Sequence, residues 1–545
     1  MKLGNSNSAA FTKLPSQRGA IYQANTERAI PISSIRGLTD DTSEDSEELS
    51  MSTELQPDLC VIGGGPGGLA VALGAAAAGK SVVVVEKGVL GGRRLSESIP
   101  RHVLLAASRA ADWVRRATDF GIKAQEPQFD FTLVQQQIAT AAAAIAPNYS
   151  QARLEAMNIK LIRASGRFIG PDTCEAGGVN IKARSFIIAT GAVARRLPIQ
   201  GLDAVRPLDG AALCTLGRPP GRLIVIGAEP DGLALAQAFR RLGSEVTILA
   251  GQALFTGEDE ELAGPVRKGF VRDGIVIHEG VRVTRIEPRD GSVRVLFAGA
   301  GHETAVGGSH ILLAAGRAPA VEALGLAAAG VRYDENGIET NSRLLTSNWR
   351  IHALGAAVKG EQQEGAGEWH AAHVLRTILG LQGGKLVREA TARVVWTSPA
   401  IATAGVLEAQ ARATHRHISV LRWPLAETEW ARIESQPGGH VKLITTPAGT
   451  ILGAGVVGFR AEELIPLFTL AISKRTTTQD IASIMLPYPA LASGARSASM
   501  TFQDRKSEVK FHQLLRAMSQ VIERQIGEFR EWAGGLGGKA RGIFR

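Results

Sequence analysis

The stretch that most constrains this chain is residues 58–87, DLCVIGGGPGGLAVALGAAAAGKSVVVVEK. An apolar run at residues 59–62 meets Gly63-x-Gly65-x-x-Gly68, an Ala-rich segment follows, and a second apolar run at residues 82–85 ends on Glu86. Short all-apolar runs flanking a helix-length segment read as strand, tight turn, helix, strand. Gly63 permits the turn, Gly65 lets backbone approach a pyrophosphate, and Gly68 lets the helix pack closely on the strand. The helix N-terminus offers unpaired N–H groups and a positive dipole end to the phosphates. Glu86 ends the second strand, where a carboxylate takes both ribose hydroxyls of an adenosine. Between two strands and closed by an acid, the glycines read as a dinucleotide cradle rather than an ordinary turn.

A second unit of this kind begins at Arg222. Residues 223–226 meet Gly227-Ala-Glu229-Pro-Asp231-Gly232, a helix runs to Leu242, and a strand follows at residues 246–249. Two such units point to two nucleotides. Other signals lie in between and beyond: Gly91-Gly92, Ala189-Thr190-Gly191, Ala315-Gly316-Arg317-x-Pro319 and Ala353-Leu-Gly355-Ala356. From about Lys385 the pattern changes to alternating strands with a helix at residues 461–474, a separate α+β domain. The expected fold class is α/β, with two Rossmann-like domains and a C-terminal α+β domain. The expected divisions are an extension (1–57), a first nucleotide domain (58–204) that returns at 326–384, an inserted one (205–325), the α+β domain (385–503) and a tail (504–545).

At 545 residues, with 45% apolar content, the chain has room for about three domains of roughly 150 residues each. Its net charge of +9 is scattered, and aromatics make up only 5%, so no basic stripe interleaved with aromatics marks a nucleic-acid surface. The three cysteines, Cys60, Cys174 and Cys214, show neither disulfide nor metal spacing, which makes a reducing, cytoplasmic setting the default. No apolar run approaches the roughly 20 residues that span a bilayer. Residues 1–57 are Ser/Thr-rich and basic up to Arg36, then acidic, a composition that favours disorder. Two accounts of this segment stand: a targeting peptide, or translation that starts at Met51. The tail places Phe511, Leu515, Met518, Ile522, Ile526 and Phe529 on one helix face, for packing on its own dimer or a partner, with peripheral membrane contact as the alternative.

Taken in order, these motifs, together with Thr397-Ser-Pro399-Ala-Ile-Ala402, resemble the pyridine nucleotide–disulfide oxidoreductases of the dihydrolipoamide dehydrogenase and mercuric reductase branch. The resemblance covers residues 58 to about 503. It implies FAD along Gly63, Gly65, Gly68, Glu86, Gly91, Gly92, Thr190, Gly191 and Gly355. It also implies NAD(P) at Gly227, Gly232 and Gly316, and a C-terminal domain that forms a homodimer. In the family's usual cycle NAD(P)H reduces flavin, and flavin exchanges electrons with a cysteine pair.

The departures from that pattern carry most of the functional information. The loop after Gly91-Gly92 is one residue short and reads Arg93-Arg94-Leu-Ser96-Glu97-Ser98-Ile-Pro100-Arg101-His102. Arg94 and Ser98 stand where the family has its cysteines, and neither can do thiolate chemistry. His102 takes the place of a lysine near the flavin, and Ala234 that of its glutamate partner. Tyr488 replaces the general-base histidine, as also happens on the mercuric reductase side, and Ser493 replaces its orienting glutamate. None of the family's catalytic set is retained. Glu229 stands where a glycine lets backbone touch the second pyrophosphate, Ala250 where an acid holds the NAD ribose, and Ala356 where an aspartate bonds the ribityl chain.

The expected function is therefore an FAD-dependent oxidoreductase without dithiol chemistry. It passes electrons from a reductant, with NAD(P)H disfavoured in its usual mode, to a small-molecule or protein acceptor such as a quinone or oxygen. The alternative is a degenerate member serving as a flavin-bearing or flavin-free partner protein. No metal site is expected: His370-Ala-Ala-His373 falls on the helix after the third FAD motif, and His415 and His417 read as surface. Two readings of Arg93, Arg94 and Arg101 stay open, a solvated loop or a cluster that stabilises reduced flavin or an anionic ligand.

Overall fold

The computed structural model describes residues 54–299, 301–381, 386–502 and 524. The expectations for residues 1–53 and for the apolar face of the tail helix lie outside the described residues. Glu54–Leu55, placed in the extension by the sequence reading, pairs in parallel with Asn180 and Ile181.

Strand β1 (Leu59–Ile62), helix α1 (Pro66–Ala77) and strand β2 (Val82–Val85) form the expected unit. β1 and β2 are apolar at every position because both faces of their sheet are covered, and no residue in either is more than 4% exposed. The sheet has five parallel strands in the order Ile351–Ala353, Ser185–Ile188, β1, β2, Lys160–Ile162. The strand Ile351–Ala353 thus returns to this sheet after the inserted segment. Helix α2 (Ile99–Arg115) follows the Gly91-Gly92 loop through a π-helical turn at Arg94–Ser98.

The inserted unit is built on β3 (Arg222–Gly227), α3 (Pro230–Arg241) and β4 (Glu245–Ala250). Its parallel sheet runs Val276–Glu279, β4, β3, His310–Ala314, with an antiparallel three-stranded sheet beside it over residues 282–308. Helix α4 (Ala366–Ile378) then lies against α1. The C-terminal domain is a five-stranded antiparallel sheet covered by the helix Ala461–Ser473. Buried polar groups join it to the inserted unit. Gln237 exchanges hydrogen bonds with the Ser398 backbone at 2.7 and 2.8 Å. Lys442, 2% exposed, meets Asp259 and Glu408 at 2.7 Å each, together with Glu261. Among the described residues no helix is long and apolar enough to cross a membrane.

Candidate functional site

The first cradle is open where a ligand would need it open and tight where the chain must close. Gly63 sits at φ +111°, and a Cβ there would lie 2.4 Å from the Ala189 carbonyl oxygen. Nothing lies within 4 Å of the corresponding position on Gly65. Gly65 also caps α1 with no side-chain hydrogen bond, leaving the first-turn N–H groups free for an anion. α4 begins in the same way at Gly365, and the two helix starts meet so closely that a Cβ on Gly67 would lie 2.7 Å from the Gly367 backbone. Two bare helix N-termini therefore converge beside Gly65 and Gly355.

The other first-cradle residues surround this point. Glu86 accepts the N–H groups of Gly64 and Gly88 at 2.6 Å each, which fixes its carboxylate at the end of β2 with lone pairs to spare. Gly91 donates to the Gly64 carbonyl at 2.8 Å, and Gly92 packs over Gly65. The Thr190 hydroxyl is buried with no hydrogen-bond partner, while the space beside Gly191 is open. An orphaned hydroxyl, an open glycine face and bare helix starts fit a dinucleotide.

The second cradle is differently made. Gly227 and Gly232 pack against Ala314 as a βαβ turn requires. Glu229, however, folds its carboxylate over the start of α3, where Oε2 accepts the Gly232 N–H at 3.1 Å. The carboxylate thus takes the N–H that a phosphate would use. Burial, reinforced by the nearby Asp231 charge, pushes the Glu229 carboxyl up to about 7. Ala250 is fully buried and offers no polar atom to a ribose. Gly316 remains open, at φ +84°. These residues do not fit a dinucleotide held with its pyrophosphate on α3.

Between the cradles lies a network that the sequence did not reveal. Arg101 is fully buried, bonds Asp231 of α3 at 2.7 Å and is paired with Glu364, just ahead of α4. Arg93 clasps Glu97 with two hydrogen bonds of 2.7 and 2.8 Å, and Arg317 reaches the same carboxylate at 3.3 Å. Burial alone would raise the Glu97 carboxyl, but these guanidinium groups hold it below its ordinary range. Likewise burial opposes, yet His102, Arg101 and Ser98 hold the Glu364 carboxyl down at about 2. Arg94 bridges to Glu368 on α4 at 2.7 Å. The solvated-loop reading of the three arginines is therefore corrected, since each is tied to a carboxylate. Glu97 lies only four residues from Arg93, but Glu368, Asp231 and Glu364 stand 130 or more residues from the arginines they meet, so no local signal could have named them.

The remaining substituted positions are equally unlike a dithiol centre. Ser98 is 4% exposed, and His102 lies edge-on to Trp396 with ring centroids 4.6 Å apart. Ala234 packs with Leu105 and Ala238 beside Trp396, an apolar patch that offers His102 no charged partner from this helix position. Tyr488 is 75% exposed on the C-terminal domain. Cys60, Cys174 and Cys214 are all buried and unpaired, and burial pushes the latter two thiols up to about 12 and Cys60 well above its ordinary value.

Comparison with known proteins agrees with this architecture. Residues 57–374 match the pyridine nucleotide-disulphide oxidoreductase family, and residues 391–498 match its dimerisation domain. A mercuric reductase from Staphylococcus aureus is 28% identical over 456 residues, 83% of each chain. A dihydrolipoyl dehydrogenase from the same species is 30% identical over 445 residues, covering 80% of this chain and 94% of the relative. The crystal structure of LpdA from Mycobacterium tuberculosis superposes with a TM-score of 0.74 at 25% identity, over 82% of this chain and 99% of that one. The open first cradle, the returning FAD sheet, the inserted second unit and the dimerisation domain thus belong together, and the chain is a member of the FAD-binding pyridine nucleotide-disulphide oxidoreductase family.

Proposed function

We propose that this chain is a flavin-dependent oxidoreductase that works without a dithiol and without NAD(P)H seated on α3. Bound FAD supplies one- and two-electron transfer. The pyrophosphate would rest on Gly63, Gly65, Gly68 and the start of α1, with Gly91 and Gly92 over it. Glu86 would take the adenosine ribose, and Thr190, Gly191 and Gly355 would close the far side. Electrons come from another reductant and pass to a small-molecule or protein acceptor; a quinone or oxygen is the simplest case. Its homodimer is the one the dimerisation domain supports.

The observation that carries this reading is the contrast between the cradles, one open at a bare helix N-terminus and the other capped by Glu229. A second reading, a family member kept as a partner protein, is favoured by the Arg101 network, which knits together the segments that would otherwise frame a reaction. The test is a visible spectrum of the purified protein, followed by anaerobic NADH, NADPH and then dithionite. The expected result is a yellow protein that dithionite bleaches and the pyridine nucleotides do not. Rapid bleaching by NADH or NADPH would overturn the closed-cradle reading. A colourless dimer that takes up no added FAD would sink the flavoenzyme reading and leave the partner-protein role.

A further inference from the structure

The third FAD-facing turn, Gly355–Ala357, follows the sheet strand Ile351–Ala353 and brings no polar side chain of its own. Its shape must therefore be imposed from outside. Part of that work is done by backbone: Leu354 N–H donates to the Ile188 carbonyl and Val358 N–H to the Gly355 carbonyl, each at 3.0 Å. The first N–H of the turn itself, that of Gly355, is buried and points at Nδ1 of His370 on α4, 3.1 Å away. To accept that bond the imidazole must be neutral, with its proton on Nε2. The surroundings supply both conditions. His370 is fully buried, and its Nε2 has no hydrogen-bond partner but faces the Glu361 carboxylate at 3.9 Å. Glu361 in turn is approached by Arg388 at 3.6 Å. Burial, then the Arg388 charge, lowers the His370 imidazole to about 4.

Two features separate this arrangement from simple packing. A buried histidine that only fills space has no reason to aim its one acceptor atom at a backbone donor in a left-handed turn, where Gly355 has φ +62°. The turn is also the one that Ala356 deprives of a side-chain anchor, and Ala356 remains half-buried beside the cradle. We infer that His370 is a positioning residue for the FAD cradle, its Nδ1 holding Gly355 in the conformation that receives the cofactor. This rests on the flavin reading above, and it assigns the histidine a role other than ligating metal.

The test compares full-length wild type with His370→Ala, His370→Phe and His370→Asn, each stripped of FAD and titrated with it by flavin fluorescence. Apo thermal stability is followed in parallel. Phe keeps the volume and loses the acceptor, whereas the Asn amide oxygen can stand where Nδ1 stood. Losing one buried hydrogen bond should weaken FAD binding roughly ten-fold in the Ala and Phe variants. The Asn variant should stay within about three-fold of wild type. FAD affinity unchanged in the Phe variant, or as weak in Asn as in Ala, would overturn the inference while leaving the flavin reading intact. Wild-type protein that takes up no FAD would overturn the flavin reading and this inference together.

Discussion

Glu229 shows how one side chain can change what a nucleotide-binding turn does. Its carboxyl keeps a proton up to about pH 7, whereas an unfolded glutamate releases it near 4.5. Stability from this group is therefore full below pH 4.5, declines as pH rises through 7 and stays reduced above that. Glu229→Gln keeps an acceptor for the Gly232 N–H but removes the buried charge. It should stabilise the protein by about 1–3 kcal/mol at pH 8 and barely at all at pH 4.5, as urea denaturation at the two values would show. Arg101 is the opposite case, a buried charge whose two terminal nitrogens each meet a carboxylate. Arg101→Met leaves Asp231 and Glu364 with only the more distant Arg93 and His102 and should cost about 3 kcal/mol, read as a lowered urea midpoint. The sequence could not anticipate this. Arginines beside Pro100 look like a solvated loop, and the acids that bury Arg101 stand 130 and 263 residues further along the chain.

At the level of elements, both βαβ units were legible because they rest on local chemistry. Apolar runs make buried strands, and glycines make the turns between strand and helix. The two-residue strand at Glu54–Leu55 was not legible, since no periodicity exists over so short a span. The role of the α3 N-terminus was half legible. Glu229 was visible as a misplaced acid, but that it caps its own helix depends on a side-chain conformation. That conformation makes a gain of function testable. Glu229→Gly should bare the Gly232 N–H and the positive end of α3, raising NADH affinity on the order of ten-fold as measured by calorimetry. An affinity equal to that of the parent would mean that the buried Ala250 or the Arg101 network closes the site as well.

At the scale of the whole molecule, the family's scaffold is present, and the function proposed above runs on it without the family's dithiol. The cofactor cradle, the inserted unit and the dimerisation domain are all present, while the loop after Gly91-Gly92, where the resemblance places the cysteine pair, carries Arg94 and Ser98. That loop has become a junction: Arg93, Arg94 and Arg101 reach Glu97, Glu368, Asp231 and Glu364 from three different segments. The three cysteines that remain are spread through the interior as ordinary small apolar side chains. Native protein should accordingly resist iodoacetamide, with intact mass unchanged after an hour, and take three labels once denatured. A soft metal ion or an electrophile that acts by capturing an exposed thiolate therefore finds none to capture here, and such reagents should leave the folded protein unmodified.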